Sequence, residues 1–92
     1  MADVEVYAAE LEGNTVKALT VRFKGTAART ITRSTALDWL RGGHSLVTHA
    51  GGAHHPVRGY AIERVEVGGE SFLRTDVLPE PRDSVVFPAA GH

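Results

Sequence analysis

The sequence contains no cysteine. Disulfide staples, thiolate metal sites and cysteine nucleophiles are therefore excluded. An excess of charge of either sign is also missing: ten Lys and Arg stand against eleven Asp and Glu, for a net charge of -1. A strongly basic surface for nucleic acid or anionic membrane is not indicated. No window approaches the roughly 20 apolar residues that a membrane-spanning helix needs. Met1–Glu5 has neither a basic n-region nor an apolar run after it, so no signal peptide is expected and the default location is cytoplasmic. There is no internal repeat, no low-complexity tract, and no G-x-G-x-x-G, P-loop, G-x-S-x-G or H-x-x-x-H motif.

What the chain does have is the composition of an ordinary folded domain. Of its 92 residues, 42% are hydrophobic and 23% charged, which argues against disorder. The length suits one domain, expected over residues 1–88 with a flexible tail at 89–92. Ten Gly and five His are its most unusual items.

Hydrophobic periodicity places the elements. Val4–Leu11 carries Val4, Val6 and Ala8 on one face, and Glu12-Gly13-Asn14 offers the positive φ of a tight hairpin. Thr15–Phe23 is the clearest strand, with Leu19, Val21 and Phe23 at period two and Thr20 and Arg22 opposite. Arg29–Arg33 is short and β-branched, a third strand or extended lead-in. Ser34 then reads as a helix N-cap. Thr35–Arg41 follows as about two helical turns with an apolar stripe of Ala36, Leu37 and Leu40. Arg41 suits the negative end of the helix dipole, and Gly42 suits a left-handed position just past the helix.

His44–His49 reads as a weak strand, and residues 50–56 as a loop. Tyr60–Val67 and Glu70–Thr75 form a hairpin around Gly68-Gly69, with Val65 facing Phe72 and Glu63 facing Arg74. Pro79 and Pro81 break the chain beyond, and Ser84–Phe87 adds a short edge segment. The order is β-β-(β)-α-β-β-β. The expected fold is α+β: a small, mostly antiparallel β-sheet of five to six strands with one short α-helix packed on it.

Four histidines, His44, His49, His54 and His55, lie within twelve residues and make a candidate metal or small-ligand group. If His44 and His49 flank one strand, their odd separation places them on opposite faces, which works against a shared ion. Ser45, Asp38 and Asp76 have no context that sets them against a histidine, so no catalytic residues and no cofactor are expected. The pairs Gly42-Gly43, Gly51-Gly52 and Gly68-Gly69 are explained by capping, loop flexibility and turning. Trp39, the only Trp, lies on the short helix, either as a cover for the sheet or as an anchor for a partner. Arg22, Lys24, Arg29 and Arg33 cluster in the first third, but Glu5, Glu10 and Glu12 on the neighbouring segment offset them.

The segment Gly69-Glu70-Ser71-Phe72-Leu73-Arg74-Thr75, the serine-led helix ending at Gly42, and the tail Asp83-Ser84-Val85-Val86-Phe87-Pro88 resemble the DUF3892 family of small prokaryotic proteins. The resemblance spans most of the chain in order, with about seven residues forming the specific motif; the His-rich loop departs from it. It implies an opening hairpin, a serine-led short helix ending at glycine, a closing strand and an acidic, proline-ended tail, and no particular activity. Within it Arg74 stands out, because a charge beside Phe72 and Leu73 needs a partner, and Glu63 is the nearest candidate.

Together these features lead to a non-enzymatic protein-binding or self-assembling module that pairs with itself as a homodimer or with another protein. Trp39 and Arg74 are its candidate interface residues. The alternatives are a histidine-loop binding protein for a metal or small ligand, and a small regulator or inhibitor of a host or phage protein.

Overall fold

A computed structural model describes residues 3–23, 25–51 and 57–89. His54 and His55, and the tail from residue 90 onward, lie outside the described residues. The chain runs β1 (Asp3–Glu12), β2 (Thr15–Phe23), β3 (Arg29–Thr32), α1 (Arg33–Arg41), β4 (Ser45–Ala50), β5 (Val57–Val67) and β6 (Glu70–Arg74). The strands form one six-stranded sheet in the order β3-β2-β1-β4-β5-β6. Among the described residues, no helix is long and apolar enough to cross a membrane.

The sheet is mixed rather than mostly antiparallel. β1 and β4, at its centre, run parallel, with Val4 opposite Leu46 and Val6 opposite Thr48. The antiparallel neighbours β1–β2, β2–β3, β4–β5 and β5–β6 are each consecutive in the chain. The β1–β4 pair joins two hairpin systems through the long β2–β3–α1 excursion. A parallel pair requires such a crossover, and no local pattern announces it.

Two irregularities in the β1–β2 ladder explain the burial pattern. Tyr7 has no opposite residue, and neither does Lys17. Each extra residue reverses the in/out alternation beyond it. Val4 and Val6 are therefore buried ahead of Tyr7, whereas Ala9 packs on the core after it. In β2, Val16 and Leu19 can both be buried although their spacing is odd. The second hairpin follows the expected register, with Val65 opposite Phe72 and Glu63 opposite Arg74. Gly68 and Gly69 turn it with φ of 60° and 84°, where a side chain would be strained.

The helix starts earlier than Ser34 suggests. The N-cap is Thr32, in extended conformation, and its Oγ1 accepts from the Thr35 N–H at 3.2 Å. Arg33 is already helical, and its guanidinium is held by Asp83 and by the Ser71 carbonyl. Ser34 thus falls inside the first turn. At the other end Gly42 keeps right-handed geometry at φ -78°. Gly43, at φ 92°, takes the left-handed position instead. The Gly43 and His44 N–H groups then bond back to the Leu40 and Trp39 carbonyls at 3.1 and 3.0 Å, closing a Schellman motif.

Ala36 from the helix joins Val4, Val6, Val16, Leu19, Val21, Ile31, Leu46, Ile62 and Leu73 in one buried cluster. Leu37, Trp39 and Leu40 cover the rim from the helix side, and Val85 and Phe87 cover it from the C-terminal segment. That segment is no regular strand: only Ser84 bridges, in parallel, to Arg74. It passes over Gly59, where a Cβ would run into Pro88 and into Thr48 Oγ1.

Candidate functional site

Arg74, the last residue of β6, is the most polar group in the interior at 2% exposure. Its Nε and Nη2 donate to the two carboxylate oxygens of Asp76 at 2.6 and 2.9 Å. Nη2 also donates to Glu80 Oε2 at 2.9 Å, and Nη1 to the Arg82 carbonyl at 3.0 Å. The expected partner Glu63 stands opposite in the ladder but makes no ion pair with Arg74. The chain after β6 folds back over the guanidinium and supplies nearer acceptors. The Asp76 bonds raise the Arg74 pKa above its ordinary value, and Arg74 holds Asp76 below the usual carboxylate range. Arg74 thereby shapes the stretch 76–82, in which Leu78 N–H also donates to Asp76 at 3.1 Å.

On this braced stretch and on the neighbouring β5 and C-terminal segment, several apolar side chains face outward. Val77 is 76% exposed, Leu78 54%, and Tyr60 and Val86 50% each. Tyr60 and Val86 line one shallow cavity of about 180 Å³ with Thr75 and Asp76. The Val86 N–H donates to Thr75 Oγ1 at 3.1 Å, which fixes the C-terminal side of the patch. Tyr60 and Val86 carry no sequence signal of their own: a Tyr at period two reads equally well as inside or outside.

A second cluster lies on the opposite face of the sheet from α1. Glu5 Oε1 accepts from Tyr7 OH at 2.9 Å and from Arg22 Nε and Nη2 at 3.1 and 3.0 Å. Burial alone would raise the Glu5 pKa, but the bonds from Tyr7 and Arg22 outweigh it and lower the pKa. Burial and the Glu5 bond push the Tyr7 phenol upward. His49 is buried at 7% exposure, its Nδ1 2.9 Å from the Val47 carbonyl and its ring 5.7 Å from Tyr7.

His44 sits elsewhere, with its ring 6.2 Å from Trp39 beside a cavity of about 300 Å³. That cavity lies between the C-terminal end of α1 and β5, and it is lined by Leu40, Glu63 and Arg64 among others. The structure does not bring His44 and His49 together. Among the described residues, no group of three or more His, Cys, Asp or Glu is placed to hold a metal ion. Trp39 is half-buried against Phe23, ring centroids 5.5 Å apart, and the Arg29 guanidinium lies 5.1 Å from the Phe23 ring and 5.5 Å from the Trp39 ring.

The residue most central to the architecture is Asp83, whose role no local motif signals. Its carboxylate, 1% exposed, accepts four bonds. Oδ2 takes the Val16 N–H and Arg33 Nε, both at 2.8 Å. Oδ1 takes the Leu73 N–H at 2.9 Å and Arg33 Nη2 at 3.0 Å. It joins β2, β6 and the start of α1 at one point.

The class these features define is a small α+β fold with a six-stranded mixed sheet, one covering helix and a C-terminal clasp. No protein-family model, no curated protein and no solved structure matches the chain.

Proposed function

We propose that the chain is a non-enzymatic binding module that assembles with a second copy of itself. The observation that carries this reading is the exposure of Val77 and Leu78 on a stretch held in shape by Arg74, and of Tyr60 and Val86, which line a shallow cavity with Thr75 and Asp76 of that same chain turn. Exposed apolar side chains on a fixed support favour an interface, because they lose water on association without a large ordering cost. Arg74 takes part by shaping the surface from beneath. Trp39 serves the fold as a cover for the sheet rim rather than as the anchor.

The reading includes kinship with the DUF3892 family. It rests on the likeness of Gly69–Thr75, the serine-led helix and the C-terminal tail to that family's sequences.

Sedimentation equilibrium tests the assembly. The chain is expected to reach a dimer within the range from about 10 μM to 1 mM. The double variant Leu78→Asp, Val86→Asp is expected to stay monomeric with an unchanged circular dichroism spectrum. A wild-type chain that is monomeric throughout overturns the reading.

A further inference from the structure

The two edges of the sheet are treated differently. The outer edge of β6 is sealed. The Ser71 carbonyl accepts from Arg33 Nη2 at 2.8 Å, and the Leu73 N–H donates to Asp83 at 2.9 Å. The Leu73 carbonyl accepts from Ser84 N–H at 2.8 Å, and the Thr75 N–H donates to the Ser84 carbonyl at 2.9 Å. β3, at the other end, pairs only with β2, and among the described residues no loop or side-chain hydrogen bond reaches the backbone of Arg29, Thr30 or Ile31. Arg29, Thr30 and Thr32 are exposed there, and only Ile31 is buried. An open strand edge is a template for another strand.

The charge at this edge is uncompensated. Among the described residues Arg29 has no carboxylate within ion-pair distance; its guanidinium rests on Phe23 and Trp39. α1 begins directly after β3, and its first turn carries no acidic residue. The positive end of the helix dipole therefore adds to the same field. Pairing β3 with its own copy across a two-fold axis would bring two Arg29 guanidiniums and two such helix ends onto one short strand pair. That repulsion selects against a second copy at this edge.

We infer that β3 is a docking edge for an acidic extended peptide, which adds a strand to the sheet and pairs a carboxylate with Arg29. Backbone hydrogen bonds supply the affinity, and Arg29 supplies the charge preference. The inference is independent of dimer formation at the Tyr60 patch, which lies on other elements.

Trp39 is a built-in reporter, since Arg29 sits over its ring. The experiment titrates the full chain with an eight-residue capped peptide alternating Glu with Val and Thr, and follows Trp39 fluorescence and backbone amide shifts. Saturable binding is expected below about 1 mM, with the largest shifts at Thr30, Ile31 and Thr32. Arg29→Glu should weaken binding about tenfold and create binding of the matching Lys peptide, while Arg29→Gln should give a smaller loss. N-methylation of one of the two alternate sets of peptide amides should abolish binding, because only one set faces β3. No saturation, shifts centred away from β3, or indifference to both methylation patterns each overturns the inference.

Discussion

Asp83 and Arg33, fifty residues apart, form a two-point pair in which Nε meets Oδ2 at 2.8 Å and Nη2 meets Oδ1 at 3.0 Å. The same carboxylate takes the Val16 and Leu73 N–H groups. Removing it would leave two strand N–H groups without that acceptor and Arg33 with only the Ser71 carbonyl. Breaking one side of such a pair costs about 3–5 kcal/mol. Asp83→Asn, which cannot serve all four donors, should lower the urea midpoint strongly. A midpoint within error of wild type would exclude the clasp as a stabilising element.

The same group sets an acid dependence. Burial by itself would raise the Asp83 pKa, but the bonds from Arg33, Val16 and Leu73 outweigh it and hold the carboxyl below its ordinary range. A depressed folded value means that the contribution is fully present above the unfolded value of about 3.9 and is lost as pH falls through the folded value. Glu5, lowered in the same sense, adds to this slope. Denaturation curves between about pH 7 and pH 2 should show stability falling below about pH 4, less steeply in Asp83→Asn.

Gly59 is irreplaceable for a steric reason. A Cβ there meets Pro88 and would lie 2.5 Å from Thr48 Oγ1. Thr48 cannot retreat easily, because that oxygen accepts from Tyr60 N–H at 2.9 Å and donates to the Tyr60 carbonyl at 3.3 Å. Gly59→Ala should cost about 1–3 kcal/mol. Pro88→Ala in the same chain should recover part of the loss in a thermal melt, since it removes one of the two obstacles.

The helix cap separates two adjacent hydroxyls. Thr32→Ala removes the acceptor for Thr35 N–H and should cost about 1 kcal/mol. Ser34→Ala removes no cap and should stay within about 0.5 kcal/mol of wild type. Equal effects in urea denaturation would contradict the assignment of Thr32.

Arg74 should govern the stretch 76–82 more than the core. Arg74→Lys cannot reach Asp76, Glu80 and the Arg82 carbonyl together, because an ammonium lacks the planar fork. Hydrogen exchange at Leu78, whose N–H bonds to Asp76, should speed up while the amides of β1 and β2 stay protected. Uniform acceleration across the sheet would show that Arg74 acts on global stability instead.

Local pattern was enough for much of the fold. Thr15–Phe23 is a strand in which Leu19, Val21 and Phe23 alternate between the turn glycines Gly13 and Gly25, and Glu70–Arg74 follows the Gly68-Gly69 turn, which sets the register that aligns Val65 with Phe72. Composition also removed thiol chemistry, since no cysteine is present. Long-range contacts decided the rest. The parallel β1–β4 pairing joins strands separated by two others and a helix, and a strand's own alternation does not encode its neighbour's direction. The inserted residues Tyr7 and Lys17 reverse alternation in a way that only the partner strand reveals. Arg74 chose Asp76 and Glu80 over the cross-strand Glu63 because the folded-back chain brings carboxylates nearer than the ladder does. Asp83 acquires its four donors only when β2, β6 and α1 converge, so its role belongs to the assembled sheet and not to the tail in which it lies.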